Sequence, residues 1–267
     1  MELPLVTVDA FSDKPFSGNP AGICLLPGSL SPEWMQRIAA EVNLSETAFL
    51  ETIDEQNYHI RWFTPEKEVD LCGHATLASA FLLYTAELAD KGKEIVFSSK
   101  SGTLKASWQE GEYAIALDFP LIPTQEAVHP YFSDMFFGQQ VIGSAKLARN
   151  WLLELANPKA VEYVTPVWSE LTHHSEEGLI VTAASAGGYD MVSRYFAPNL
   201  GIPEDPVTGF AHCALVDYWH RKTGREHFTA FQASSRGGVL GLSKMDDRVL
   251  LKGNAVKMFE GFFTLEP

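Results

Sequence analysis

Two short segments set chemistry-bearing side chains beside a glycine that opens an apolar run. In the first, Asp70-Leu71-Cys72-Gly73-His74 leads into GHATLASAFLLYTA (73–86). In the second, Glu204-Asp205-Pro206-Val207-Thr208-Gly209 leads into GFAHCALVDYW (209–219). A run of helical composition without a polar face is buried on every side. Its N-terminus presents backbone N–H groups that lack intrahelical partners, and the positive end of the helix dipole. Both suit a carboxylate or a phosphate. Gly73 and Gly209 let a ligand approach the backbone closely; they would equally ease packing at a helix start.

The polar groups around these termini differ in depth. His74 stands at the start of its helix, where it can face solvent or a ligand. His212 lies deeper and reads as a satisfied core histidine. Asp205 can cap its helix or brace the Asp-Pro turn. Cys72 would serve as a base in a two-thiol proton exchange, with one cysteine from each half. The matching position holds Thr208, however, and Cys213 falls inside the helix, where a thiol packs as a small hydrophobe. Cys72 therefore reads as a packing or lining residue. Glu46, in NLSETAF (43–49), begins a strand directly after a helix. A glutamate there is ordinarily a surface residue. Turned into a cleft and partly desolvated, such a carboxylate can shuttle protons.

Other chemistry has no signature here. GxGxxG after a strand, GxxxxGK[ST], HExxH and GxSxG are all missing. His173-His174 lies in a polar loop with no spaced third ligand and reads as solvated surface. The expected chemistry uses neither a metal nor a cofactor.

The elements that must position these groups follow from periodicity and turn residues. LVTVDAF (5–11) and AGICLL (21–26) read as strands flanking the turn FSGNP (16–20). Ser31 caps a helix with Pro32 at its first position and Trp34, Ile38 and Val42 at helical spacing. ETAFLET (46–52) and YHIRWFT (58–64) read as strands. KEIVFSS, TLKASWQ and YAIALDF form a meander over 93–119. The second half repeats this grammar. RWFTP (61–65) matches RYFAP (194–198), and EVDLCGHATLASA (68–80) matches EDPVTGFAHCALV (204–216). Both offsets lie near half the chain length, which points to an internal duplication. Residues 1–120 with the returning segment 256–267 make one half, and residues 121–255 the other. The boundary falls near the Pro-rich stretch FPLIPTQEAVHP (119–130). Each half wraps strands around one apolar helix. If the halves face each other, two helix N-termini converge on one cleft.

Composition sets the outer limits. The chain has 267 residues, 46% of them hydrophobic, which is ample for a core. Twenty basic against thirty-four acidic side chains give a net charge of −14, which repels nucleic acid. Three cysteines without a CxxC pair argue against a disulfide scaffold or structural zinc. The N-terminus shows no secretory signal, and no apolar stretch approaches membrane length. The expectation is a cytoplasmic protein without membrane or nucleic-acid partners.

FSGNPAG (16–22), NLSETAF (43–49), RWFTPEKEVDLCGHAT (61–76) and EDPVTGFAH (204–212), in this order, resemble the PhzF-like phenazine-biosynthesis proteins. The resemblance implies the diaminopimelate epimerase fold: α+β, with two similar halves, each a barrel-like, mostly antiparallel sheet around a central apolar helix. It implies a homodimer and a cofactor-independent isomerase acting on a small cyclic or amino-carboxylate. The family's founding enzymes isomerise trans-2,3-dihydro-3-hydroxyanthranilate. By resemblance, Glu46 is the acid/base that moves a proton between carbons. His74 and Asp205 position the substrate, and the Gly73 and Gly209 turns donate N–H groups to its carboxylate. One departure bears on the substrate. The family's second motif continues with a small polar residue where this chain has Phe210. Two other functions compete: a non-catalytic small-molecule binding protein on the same fold, which Phe210 favours, and an epimerase or racemase using Cys72.

Overall fold

Asp9 and Gly18 bracket the first hairpin, where the fold starts. Strand β1 (Glu2–Ala10) pairs antiparallel with β2 (Asn19–Leu26). Between them the chain turns through a left-handed Gly18, with φ of +72°. A Cβ at this glycine would lie 2.1 Å from the Ala10 carbonyl oxygen, so no other residue fits without displacement. The Phe16 N–H donates to Asp9 Oδ2 at 2.9 Å and ties the loop to the strand.

The computed structural model describes residues 2–265 except 129, 132–134, 137 and 139. His129, within the Pro-rich stretch 119–130, lies outside the described residues. Contacts divide the chain into two units, Met1–Phe119 with Leu250–Pro267, and Pro120–Val249.

In the first unit β2 runs parallel to β3 (Glu46–Thr52), with Ala21 opposite Glu46. Parallel neighbours need a crossover, and helix α1 (Pro32–Val42) supplies it. The Trp34 N–H donates to Ser31 Oγ at its start, Pro32 fills its first position, and Asn43 closes it in the left-handed region. Met35, Ile38 and Ala39 pack on Leu3, Cys24, Leu26, Phe49 and Phe63. That packing fixes where the chain leaves α1 and so where Glu46 begins its strand. β3 pairs with β4 (Asn57–Phe63), and β4 with the short β5 (Glu68–Val69). Across this last pair Arg61 grips Glu68 with two hydrogen bonds, 2.8 and 3.0 Å, and holds its carboxyl down at about 2.

Helix α2 (Gly73–Thr85) follows, and every residue from His74 to Ala80 is buried. It touches β1, β2, β3, the later strand β7 (Gly102–Trp108) and the last strand of the chain. Around it run β6 (Ile95–Ser99), parallel to β4, then β7 and β8 (Ile115–Pro120) as an antiparallel meander.

The second unit repeats the order of elements. β9 (Gln125–Glu126) flanks β10 (Val141–Leu147), which pairs antiparallel with β11 (Asn150–Leu155). β12 (Gly178–Ala184) is parallel to β11, and two short helices lie between them in sequence, α3 (Pro158–Tyr163) and α4 (Trp168–His174), so His173-His174 end a helix rather than lie in a loop. β13 (Met191–Ala197) pairs with β12 and with β14 (Ile202–Asp205). Arg194 grips Glu204 at 2.7 and 2.9 Å, as Arg61 grips Glu68. It also donates to the Val164 carbonyl, just beyond α3. Helix α5 (Gly209–Thr223) leads to β15 (His227–Gln232), which is parallel to β13, and then to β16 (Gly238–Met245). β17 (Arg248–Gly253) and β18 (Ala255–Thr264) carry the chain back to the first unit, where β18 pairs with β1.

α5 runs four residues past the apolar segment 209–219. Its last turn is His220-Arg221-Lys222, basic groups that suit a helix C-terminus, and Gly224 closes it at φ +71°. The architecture is α+β, its strand pairs mostly antiparallel, with one long buried helix in each unit. Among the described residues no helix is long and apolar enough to cross a membrane.

Gly18→Ala is expected to lower unfolding stability by about 1–3 kcal/mol or more, because φ is positive and the carbonyl of Ala10 blocks the methyl. A Cβ at Gly28 meets nothing within 4 Å. Gly28→Ala should leave the denaturation midpoint nearly unchanged, and equal midpoints for both variants would contradict this account of the turn.

Candidate active site

Three elements of the first unit meet at one imidazole. His74 is in the first turn of α2, Asn19 opens β2 and Glu46 opens β3. The Asn19 Nδ2 amide donates to His74 Nδ1 at 3.1 Å. A ring nitrogen that accepts carries no proton, so a neutral imidazole here bears its proton on Nε2. That N–H end lies 3.3 Å from Glu46 Oε2. Cys72, the N-cap residue of α2, puts its Sγ 3.5 Å from Nδ1. The His74 side chain is 5% exposed and that of Glu46 13%. Burial drives the His74 pKa down to about 3, so the ring is neutral at ordinary pH.

His74 therefore does not face solvent, as a place at a helix start allows. The strands around α2 enclose even its first turn. Glu46 is drawn off the surface because β3 starts beside Ala21, on strand β2 that also carries Asn19. The carboxylate thus stands against a neutral N–H donor, partly shielded from water. Such a group can accept a proton and return it. Gly73 is half-buried at the head of α2. Asp70 is exposed, and its carbonyl accepts from Ser101 Oγ at 2.7 Å.

In the second unit the head of α5 is held by a different network. Thr208 Oγ1 donates to Asp205 Oδ2 at 2.5 Å, across the Asp-Pro turn. Buried Gln232 accepts from the Thr208 N–H at 2.8 Å and donates to the Asp205 carbonyl at 2.7 Å. Gly209 is buried and Phe210 half-buried in the first turn. His212 is the core histidine its depth predicts. Its Nδ1–H donates to the Thr208 carbonyl at 2.8 Å, and Nε2 lies 3.3 Å from Ser193 Oγ. Burial lowers its pKa to about 4. Thr76 in α2 holds the same place, its hydroxyl donating to the Cys72 carbonyl at 2.6 Å.

Sequence reasoning passed over Asn19 and Gln232. Asn19 sits in Gly-Asn-Pro, where an asparagine reads as a turn former. Only its burial reveals it as a partner of His74. Gln232 is the last residue of a strand and lies 24 positions from Thr208, beyond any local pattern. Glu46, Cys72 and His74 also form a set of metal-type donors, all within 4.8 Å of one another. Their spread along the sequence matches no ligand-spacing motif.

The sequence matches the family described as "Phenazine biosynthesis-like protein" over residues 8–261, and the chain belongs to that family. A protein of Halalkalibacterium halodurans, named an uncharacterized isomerase, is 45% identical over 258 residues, which is 96% of each chain. The crystal structure of a PhzF-family protein from Enterococcus faecalis superposes with a TM-score of 0.92 at 38% identity, covering 99% of this chain and 100% of the other. A predicted epimerase from Pseudomonas aeruginosa, 19% identical, shares the fold with a TM-score of 0.76 over the full length of both. The fold is that of the diaminopimelate epimerase-like proteins.

The two buried histidines set a pH dependence of stability. Unfolded, each has a pKa near 6.5; folded, about 3 for His74 and about 4 for His212. The unfolded chain binds more protons across that interval, so stability is complete above about pH 6.5 and falls as the pH drops toward 4. The melting temperature should fall across this window, and less steeply in His212→Gln. A slope unaltered by that substitution would remove His212 from the account.

Proposed function

We propose that the protein is an isomerase that moves one proton between two carbons of a small cyclic or amino-carboxylate, with Glu46 as the only acid/base. The observation that carries this reading is the shielded Glu46 carboxylate 3.3 Å from the Nε2 of a neutral His74. A base that must also act as the acid needs to hold its proton between the two steps. The low exposure around Glu46 slows exchange of that proton with water. A neutral imidazole suits this task, because its N–H steadies the carboxylate without forming a permanent ion pair that would weaken it as a base. His74 is then a positioning group as well as a substrate contact. The amide of the Gly73 turn holds the substrate's polar groups together with His74, and Cys72 shapes its surroundings. Isomerase names among relatives at 40–45% identity support the reaction class.

The test is carbon-bound hydrogen exchange. The protein is incubated in D₂O with a panel of small cyclic and amino-carboxylates, including dihydrohydroxyanthranilate, and deuterium is followed by NMR. Wild type should place deuterium on a carbon of at least one compound. Glu46→Gln should slow this by about 10²–10⁴-fold, the typical contribution of one positioned acid/base, with an unchanged melting curve. Equal rates in the two proteins would remove Glu46 from the mechanism. Tight binding of a panel member without exchange would favour a binding protein on this fold.

A further inference from the structure

The carboxylate, thiol and imidazole around His74 have a second capacity that proton transfer does not use. Glu46, Cys72 and His74 offer one oxygen, one sulfur and one nitrogen, from the head of β3, the N-cap of α2 and its first turn. Tetrahedral zinc, with sulfur at about 2.3 Å and nitrogen or oxygen at about 2.0–2.2 Å, sets its ligand atoms about 3.3–3.6 Å apart. His74 Nε2 is 3.3 Å from Glu46 Oε2 and 4.0 Å from Cys72 Sγ. The first distance already fits, and the sulfur, within 4.8 Å of both other donors, closes on the ion by side-chain rotation. Charge fits as well: a thiolate and a carboxylate neutralise a dication, so the buried cluster carries no net charge. Asn19 behind Nδ1 completes the outer shell. With its amide turned to present Oδ1, it accepts the Nδ1–H of a ring bound through Nε2. Three protein ligands leave a fourth position for water or a ligand, on the side where Glu46 keeps its partial exposure.

We propose that Glu46, Cys72 and His74 bind a single zinc-class ion (Zn²⁺, Co²⁺ or Cd²⁺) and that the ion silences the proton-transfer site. The silencing rests on the function proposed above, since the ion takes the carboxylate lone pair that the substrate proton needs. The binding does not rest on it. Ligation releases the Cys72 thiol proton to solvent, so the site fills more readily as the pH rises. Cys24 and Cys213 are poor competitors. Neither belongs to a group of three metal-type donors among the described residues, as Cys72 does.

Cobalt reports the site directly. Metal-free full-length protein titrated with Co²⁺ should develop the intense visible bands of four-coordinate cobalt and a sulfur-to-cobalt charge-transfer band, saturating at one equivalent. Zn²⁺ should erase both. Cys72→Ser should abolish the sulfur band, and Glu46→Gln should weaken binding by at least about tenfold. Cys24→Ser and Cys213→Ser should keep the full spectrum, which separates loss of a ligand from loss of the fold. No sulfur band in the wild type, or the same band in Cys72→Ser, overturns the site. None of these signals requires turnover, so they stand or fall apart from the isomerase reading. With a substrate identified by deuterium exchange, Zn²⁺ should suppress exchange over the range in which it displaces cobalt. Undiminished exchange with the site filled would overturn the silencing.

Discussion

A neutral imidazole held between an amide and a carboxylate is the contact on which the first unit turns. His74 joins the heads of β2, β3 and α2 through Asn19 and Glu46. It can do so only while it stays uncharged, because a buried cation there would pay a desolvation cost that a single shielded carboxylate offsets poorly. Everything nearby serves that state. Strands on several sides enclose α2 and exclude water. The left-handed Gly18 delivers Asn19 to the start of its strand. Arg61 and Glu68 pin β4 to β5, and so fix the chain just before Cys72-Gly73-His74. The apolar helix is therefore more than filler: its uniform burial sets the protonation state of its first polar side chain.

The second unit uses the same order of elements and the same arginine–glutamate clamp, yet its polar interior differs. Asn150 opens β11 as Asn19 opens β2, but Asn150 accepts from the Tyr195 hydroxyl at 2.8 Å and donates to Glu177 at 3.0 Å. Trp62 holds the motif position of Tyr195 in the first unit. Its buried indole N–H has no hydrogen-bond acceptor among the described residues. At the head of α5, hydroxyl, carboxylate and amide close on one another through Thr208, Asp205 and Gln232. The scaffold constrains backbone paths tightly and the polar contents of each half loosely. That is expected where pairing register and helix burial set the fold, while a few side chains set the chemistry.

Much of this was legible in the residues themselves. The strands at 46–52 and 58–64, the Ser31 cap with Pro32, and the burial of the helix at 73 all follow from local rules that tertiary packing reinforces here. The end of α5 was not legible from apolar periodicity, because His220-Arg221-Lys222 extend the helix through charge and the Gly224 stop rather than through core packing. The depth of His74 was hidden for another reason. Its exposure depends on strands far away in sequence, and no pattern within α2 reveals how completely they close. Asn19 and Gln232 share that difficulty, since each becomes a partner only after folding brings it to a helix start.

The chemistry open to each helix head follows from what its polar groups already do. A two-base exchange needs a second group that can release and accept a proton near neutral pH. Thr208 offers a hydroxyl, which is a far weaker acid than a thiol, and that hydroxyl is spent on Asp205 and Gln232. Glu46 differs in kind. Its carboxylate sits against a donor that does not itself titrate in the working range, and it keeps an exposed edge. One base with that environment can serve both halves of a proton shift, provided the proton stays on it between them. The same shielding that holds the proton makes Glu46, Cys72 and His74 a compact set of donors. An ion entering such a site would compete for the lone pair that the proposed proton transfer uses.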